Sequence, residues 1–356
     1  MIIFNIVCIL IFQRKEKNTT KRKEIFYNQI KSQIRCIREN GILESKQKET
    51  LKRNLKSVNK LVAFDQALTE LQKEDVQGVD IFLTKNMGTF TYLMSVYSRK
   101  EKIKLAYYAY LLAKFKVCRG KPFDSIKPSI KQMVTENNLY CRENALKALY
   151  SFGDAQAVAE ALILMDKSGV FHHIKLITDG LLTFEGNHET LISMLWNDFE
   201  KYSSGMQTAI LNYIRFKTGS HCGKVLEILK NTKYDDEVRY SAIRYFGRYY
   251  YEEAYRVLIN MLSDTSEAKY NYAVISATAL GNYPGKETVD ALKKALHSSI
   301  WYVRLNAAQS LIKLEADPME LTDILNGNDR YAREILTYCM YEQKQQAYLR
   351  KAGEAL

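Results

Sequence analysis

Hydrophobic positions in this chain recur with a period near thirty residues. Val238-Arg239 is followed at helical spacing by Ala242, Phe246 and Tyr249. The same frame holds Arg142 before Ala145, Leu149 and Phe152, Arg304 before Ala307, Leu311 and Leu314, and Arg333 before Leu336 and Met340. Copies without the arginine stand at Ile177, Leu181 and Phe184, at Ala209, Tyr213 and Phe216, and at Ser276, Leu280 and Tyr283. The anchor positions 145, 177, 209, 242, 276, 307 and 336 are 32, 32, 33, 34, 31 and 29 residues apart, and a degenerate earlier copy fits at Ala109 and Ala113. A second apolar stripe runs between the anchors, at Val225, Leu226 and Leu229, at Val257, Leu258, Met261 and Leu262, and at Val289, Leu292 and Leu296. Residues three and four apart share a helix face, so each period encodes two amphipathic helices. One such pair cannot bury its apolar face alone, and stacked copies form a continuous core.

Ahead of the repeats the pattern changes. Phe26, Ile30, Ile34 and Ile37 make a helical stripe flanked by Lys31, Arg35 and Arg38, and Leu51, Leu55, Val58 and Val62 mark another helix. A basic amphipathic helix suits a membrane surface, a partner helix, or a neighbour in the same chain. The first twelve residues, MIIFNIVCILIF, are apolar except for Asn5. Twelve residues of helix span about 18 Å, short of a hydrocarbon core of about 30 Å. They lack the positive region before them and the small-residue site after them that a cleaved signal peptide needs.

Charge sharpens this picture. The formal net charge is +12, of which residues 13–60 carry +10 from 15 Lys/Arg and 5 Asp/Glu. Arg14, Lys15, Lys17, Lys21, Arg22 and Lys23 directly follow the apolar start. Basic residues flanking an apolar run stay on the cytoplasmic side and attract anionic lipid. The expectation is an N-terminal membrane anchor with the rest in the cytoplasm, an anionic membrane surface being met through the N-terminus. The alternative is a soluble cytoplasmic protein whose apolar start packs on its own body. From Leu61 onward the chain is nearly neutral, so nucleic acid is not an expected partner despite the overall basicity.

Composition fits a helical globular chain: 47% hydrophobic, 26% charged, and only four prolines in 356 residues. The six cysteines are scattered with no CxxC pair, as buried thiols of a reducing compartment are. Candidate chemistry is sparse. His172, His173, His188, His221 and His297 form no HExxH, and no GxGxxG, GxxxxGK[ST] or GxSxG occurs. His221-Cys222 pairs a base with a nucleophile only in sequence, and adjacent residues seldom face each other. No cofactor and no metal are expected. Six aromatics between Tyr245 and Tyr255 are interleaved with Arg244, Arg248 and Arg256. Tyr and Arg dominate binding hot spots. Arg248, Tyr250 and Tyr251, at the predicted turn, are therefore the candidate partner-binding edge, while Phe246 and Tyr249 are assigned to the core.

The repeat units resemble HEAT repeats, most closely the short bacterial kind found in phycobilisome-lyase-type proteins. Those read Leu-x-Asp-x-(Asp/Glu)-x-x-Val-Arg-x-x-Ala-x-x-x-Leu-Gly. This chain carries Asp236, Val238, Arg239, Ala242, Phe246 and Gly247, then Val303-Arg304, with Met261-Leu262-Ser263-Asp264 supplying a Leu-x-Asp. The resemblance covers about residues 103–350. It implies that Arg142, Arg239, Arg304 and Arg333 form a structural ladder between repeats with acidic residues such as Asp236, Asp264 and Asp329.

The expected architecture is all-α: a right-handed α-solenoid of about seven to eight HEAT-like helix pairs with an N-terminal helical neck. The expected segments are an apolar start (1–12), a basic neck (13–60), a helical cap (61–102) and the repeat array (103–356). The expected function is a non-catalytic, membrane-tethered scaffold binding a partner protein on the concave surface. A lyase-like or glycosylase-like enzyme acting in the groove, and a soluble interaction protein, stay open as alternatives.

Overall fold

The computed structural model describes residues 2–121, 125–264 and 269–353, with side chains described for 16–121, 125–264, 269–346 and 349. Among these residues the chain is all-helical. In chain order the helices are α1 (Ile2–Asn40), α2 (Ser45–Leu55), α3 (Val58–Glu74), α4 (Val76–Lys85), α5 (Met87–Tyr97), α6 (Lys102–Lys114) and α7 (Lys127–Met133). There follow α8 (Leu139–Phe152), α9 (Ala155–Lys167), α10 (Ile174–Leu182), α11 (His188–Asn197), α12 (Ser204–Lys217), α13 (Cys222–Lys230) and α14 (Asp236–Phe246). The last are α15 (Glu252–Ser263), α16 (Tyr270–Leu280), α17 (Lys286–Ala295), α18 (Trp301–Lys313), α19 (Thr322–Leu325) and α20 (Arg330–Gly353). The chain divides into two compact units, Met1–Leu176 with Thr183–Lys201, and Ile177–Leu182 with Tyr202–Leu356.

Local sequence sets the helix ends. Asn138, Asp154 and Asn187 each accept a hydrogen bond from the backbone N–H three residues on, starting α8, α9 and α11. Such caps stabilise a helix by about 1 kcal/mol each. Asp235 starts α14 by accepting from Glu237 N. Gly153 ends α8 at φ +77, the left-handed conformation that costs glycine least.

In the first unit α1 packs on α3 and α4, and α2 on α3 and α5. Phe26, Ile30, Ile34 and Ile37 are all buried, with the Phe26 ring edge-on to Phe64 at 5.6 Å. The basic face of this helix meets acids of the same unit: Lys23 pairs with Glu70 at 2.8 Å, Lys31 with Glu74 at 3.3 Å and Arg38 with Asp75 at 2.9 Å. Tyr97 and Tyr108 stack at 4.8 Å, and their hydroxyls donate to the carbonyls of Leu55 and Phe90. Farther on α6 lies beside α8, and α9 beside α11.

The expected membrane anchor is corrected. Residues 2–12 are the start of α1, which runs unbroken through the charged stretch to Asn40. Among the described residues no helix is long and apolar enough to cross a membrane. The amphipathic stripe of Phe26, Ile30, Ile34 and Ile37 faces protein. Lys17 and Lys21 are exposed, Arg22 is half-exposed and Lys23 is tied to Glu70. The side chains of Arg14 and Lys15 lie outside the described residues.

The second unit is built in two layers. Helices α12, α14, α16, α18 and α20 lie side by side in one, and α13, α15 and α17 line up in the other, with α13–α14, α15–α16, α17–α18 and α19–α20 as pairs. Ala209, Ala242, Ser276, Ala307 and Leu336, the anchors of the periodic pattern, are fully buried here, as is Ala145 in the first unit. Small anchors let neighbouring helices approach, and the helix pairs stack as in an α-solenoid.

Candidate functional site

Two sets of arginines occupy different registers of the repeat. Arg142, Arg239, Arg304 and Arg333, three residues before their anchors, reach back to the end of the preceding helix. Arg142 is buried and donates to Glu136 O at 2.6 Å and Phe171 O at 2.7 Å. Arg304 donates to Ser298 O at 2.6 Å, Arg333 to Gly327 O at 2.8 Å, and Arg239 to Leu229 O at 3.1 Å. A cation at a helix C-terminus meets unpaired carbonyls and the negative end of the helix dipole.

The arginines also reach the following repeat. Arg239 donates to Tyr272 Oη at 2.6 Å, and Arg304 lies over the Tyr331 ring at 5.3 Å. The ladder is thus made with carbonyls and tyrosines more than with acids. Asp236 is 3.7 Å from Arg239 on its own helix and accepts from Tyr272 Oη at 2.5 Å. Asp329 pairs with His297 at 2.7 Å and caps Ala332 N, and Asp264 lies 3.8 Å from Lys269.

The second set converges on solvent. Arg215 at the end of α12, Arg244 in the last turn of α14 and Arg248 just beyond it line a cavity of about 460 Å³ with Phe216, Thr278 and Asn282. None of its nine lining residues is acidic. Arg215 Nε is buried without a hydrogen-bond partner. Its guanidinium lies 4.7 Å from the Phe216 ring centre, and that of Arg248 lies 5.4 Å from the same ring. Burial and the neighbouring charges of Arg244 and Arg248 push the Arg215 pKa down from its usual value. Among the described residues no carboxylate pairs with any of the three.

The walls of the cavity are built by close helix approach. A Cβ on Gly247 would stand 3.2 Å from Ala279 Cα, so glycine lets the end of α14 meet α16. Asn282 is spent in this contact: it donates to Gly247 O and accepts from Lys313 Nζ.

Residues 223–312 match the family model for HEAT repeats. The chain carries HEAT repeats. No curated protein matches the chain. Among solved structures, human deoxyhypusine hydroxylase in complex with glycerol is similar at 17% identity and a TM-score of 0.30, over 84% of this chain and 96% of that one. The expectation of a non-catalytic chain is withdrawn, because the HEAT architecture by itself does not exclude catalysis.

Within the matched HEAT repeats lie Arg244, Arg248, Thr278 and Asn282, while Arg215 and Phe216 come from the helix before them. Of the predicted partner edge, the cavity takes Arg248 alone. Tyr250 is 56% exposed, packs 4.9 Å from Tyr283 and donates to Glu252. Tyr251 stacks on Phe246 at 6.0 Å. His221 immediately precedes α13, its N–H donating to Tyr245 Oη at 3.1 Å, and burial holds the Cys222 thiol pKa up.

Arg215 is not among the expected site residues, although its register is readable in the sequence. Arg215, Arg248, Asn282 and Lys313 each stand six residues after a HEAT anchor, which puts them in one row along the layer.

Proposed function

We propose that this HEAT-repeat chain is a scaffold that binds a partner protein, with an acidic segment of that partner seated on Arg215, Arg244 and Arg248. The observation that carries this reading is the buried, unpartnered Nε of Arg215 beside two further unpaired guanidiniums. Three like charges around one cavity repel one another, and an anion relieves that repulsion while supplying the missing acceptors. A volume of about 460 Å³ suits a few side chains of an extended segment rather than a whole helix. Arg and an aromatic ring together are the residue types on which binding energy concentrates.

The test is binding of a fluorescent oligoglutamate peptide to the full chain and to an Arg215→Gln/Arg244→Gln/Arg248→Gln variant. The chain is expected to bind with an affinity that falls as salt rises, and the variant to bind weakly or not at all. Equal binding by both proteins, or none at low salt, would overturn the proposal.

A further inference from the structure

We infer that the cavity formed by Arg215, Arg244, Arg248 and Phe216 recognises a phosphate monoester borne on a partner side chain, which deepens the scaffold reading and takes its partner from it. Three guanidiniums present more donors and more positive charge than one carboxylate can match, for a carboxylate has two oxygens and a single negative charge. A phosphate monoester offers three terminal oxygens and a charge of about −1.5 to −2 at neutral pH. Arginine is suited to this group because its planar fork meets two phosphate oxygens at once. Arg215 Nε is a donor that folding leaves unused within this cavity. Thr278 also lines the cavity, its hydroxyl bonded only loosely to Val274 O at 3.4 Å and free to turn toward an anion.

Phe216 supports the same assignment. Its ring is 43% exposed and carries guanidiniums at 4.7 and 5.4 Å. These contacts with the ring restrain both arginines before any ligand arrives, so less side-chain entropy is lost on binding. An apolar face beside an anion site also favours an anion attached to carbon over free phosphate.

The experiment uses the full chain, with phenyl phosphate, benzoate and inorganic phosphate as competitors of the bound oligoglutamate peptide. Phenyl phosphate is expected to compete roughly tenfold or more better than benzoate, as one additional charge-assisted hydrogen bond would give, and better than inorganic phosphate. Its affinity should rise between pH 5 and 7, because the second phosphate ionisation lies near pH 6, while that of benzoate stays flat. Arg215→Gln should lower phenyl phosphate affinity at least roughly tenfold. Arg215→Lys, which keeps the charge but loses the fork, should recover only part of it.

Benzoate competing as well as phenyl phosphate would overturn this inference and leave the scaffold reading standing. Inorganic phosphate competing equally would likewise overturn it. Direct calorimetric binding of phenyl phosphate without any peptide binding would support the phosphate site and sink the acidic-segment reading. An Arg215→Gln protein with an unchanged melting temperature secures the comparison against loss of fold.

Discussion

Two regions of this chain are strongly basic, and their charges meet opposite ends. Along α1, Lys23, Lys31 and Arg38 find carboxylates within the unit, Glu70, Glu74 and Asp75, while the apolar stripe beneath them is buried. At the ends of α12 and α14, Arg215, Arg244 and Arg248 find one another and an exposed phenylalanine. The first region holds most of the excess charge in the sequence, yet the second holds a buried guanidinium nitrogen with no partner. Charge density along a sequence is therefore a weak guide to a binding site, and what marks one is charge the fold leaves unpaired.

The comparison breaks most severely if α1 is not part of the core. Ile30 is 1% exposed, and Ile30→Asp would bury a carboxylate without a partner. The variant is expected to lose the whole cooperative transition of the first unit, seen by calorimetry. Ile30→Ala should cost about 2–5 kcal/mol. A melting profile unchanged by either substitution would mean that α1 is a surface appendage and that its stripe serves something else.

Next in size is the contrast between the two arginine registers. Arg142→Ala leaves Glu136 O and Phe171 O without their donor, and the cost of a buried unpaired acceptor is about 1–3 kcal/mol each. Arg215→Ala removes no hydrogen bond and relieves repulsion, so its effect on stability should stay within about 0.5 kcal/mol or be stabilising. Urea midpoints for the pair check this. Equal losses would erase the distinction between ladder and cavity.

A smaller effect tests the surroundings of Arg142 through pH. His172, whose Nε2 lies 3.4 Å from the carboxylate, and then Lys147 hold the half-buried Glu143 pKa below its usual value. A carboxylate lowered in the folded state contributes stability above its unfolded pKa, near 4.3, and loses it as pH falls through the folded value. The difference in melting temperature between the parent and Glu143→Gln is thus expected to be present at pH 7 and to close below about pH 4. A difference that is constant with pH would assign it to packing.

Smallest of all is Glu70→Gln. The Lys23–Glu70 pair is largely exposed, and such pairs contribute little. Its loss should leave the melting temperature within measurement error, and a large drop would mean that the ion pairs rather than the buried stripe hold α1 down.

How much of this was legible beforehand varies with the kind of contact. The repeat anchors were readable because burial follows helical periodicity, and Ala145, Ala209, Ala242, Ser276, Ala307 and Leu336 are all buried as their spacing implies. The partners of Arg142, Arg304 and Arg333 were not legible, because Glu136, Ser298 and Gly327 accept through backbone oxygens that carry no residue-type signal. The membrane anchor, expected from residues 1–12 and the basic cluster after them, is overturned because among the described residues no helix is long and apolar enough to cross a membrane. The stripe at Phe26, Ile30, Ile34 and Ile37 has the same spacing whether it faces lipid or protein, and only α3 and α4 decide which.

By itself, then, the sequence determined an all-helical chain of HEAT-like pairs and the position of each buried anchor, since those follow from a period that local helix geometry enforces. Tertiary structure alone decided that Lys23, Lys31 and Arg38 of the basic neck meet Glu70, Glu74 and Asp75, and that three arginines from two helices share one cavity. Those outcomes depend on which side chains meet across tens of residues, here where Gly247 lets α14 close on α16, and no local pattern encodes such meetings.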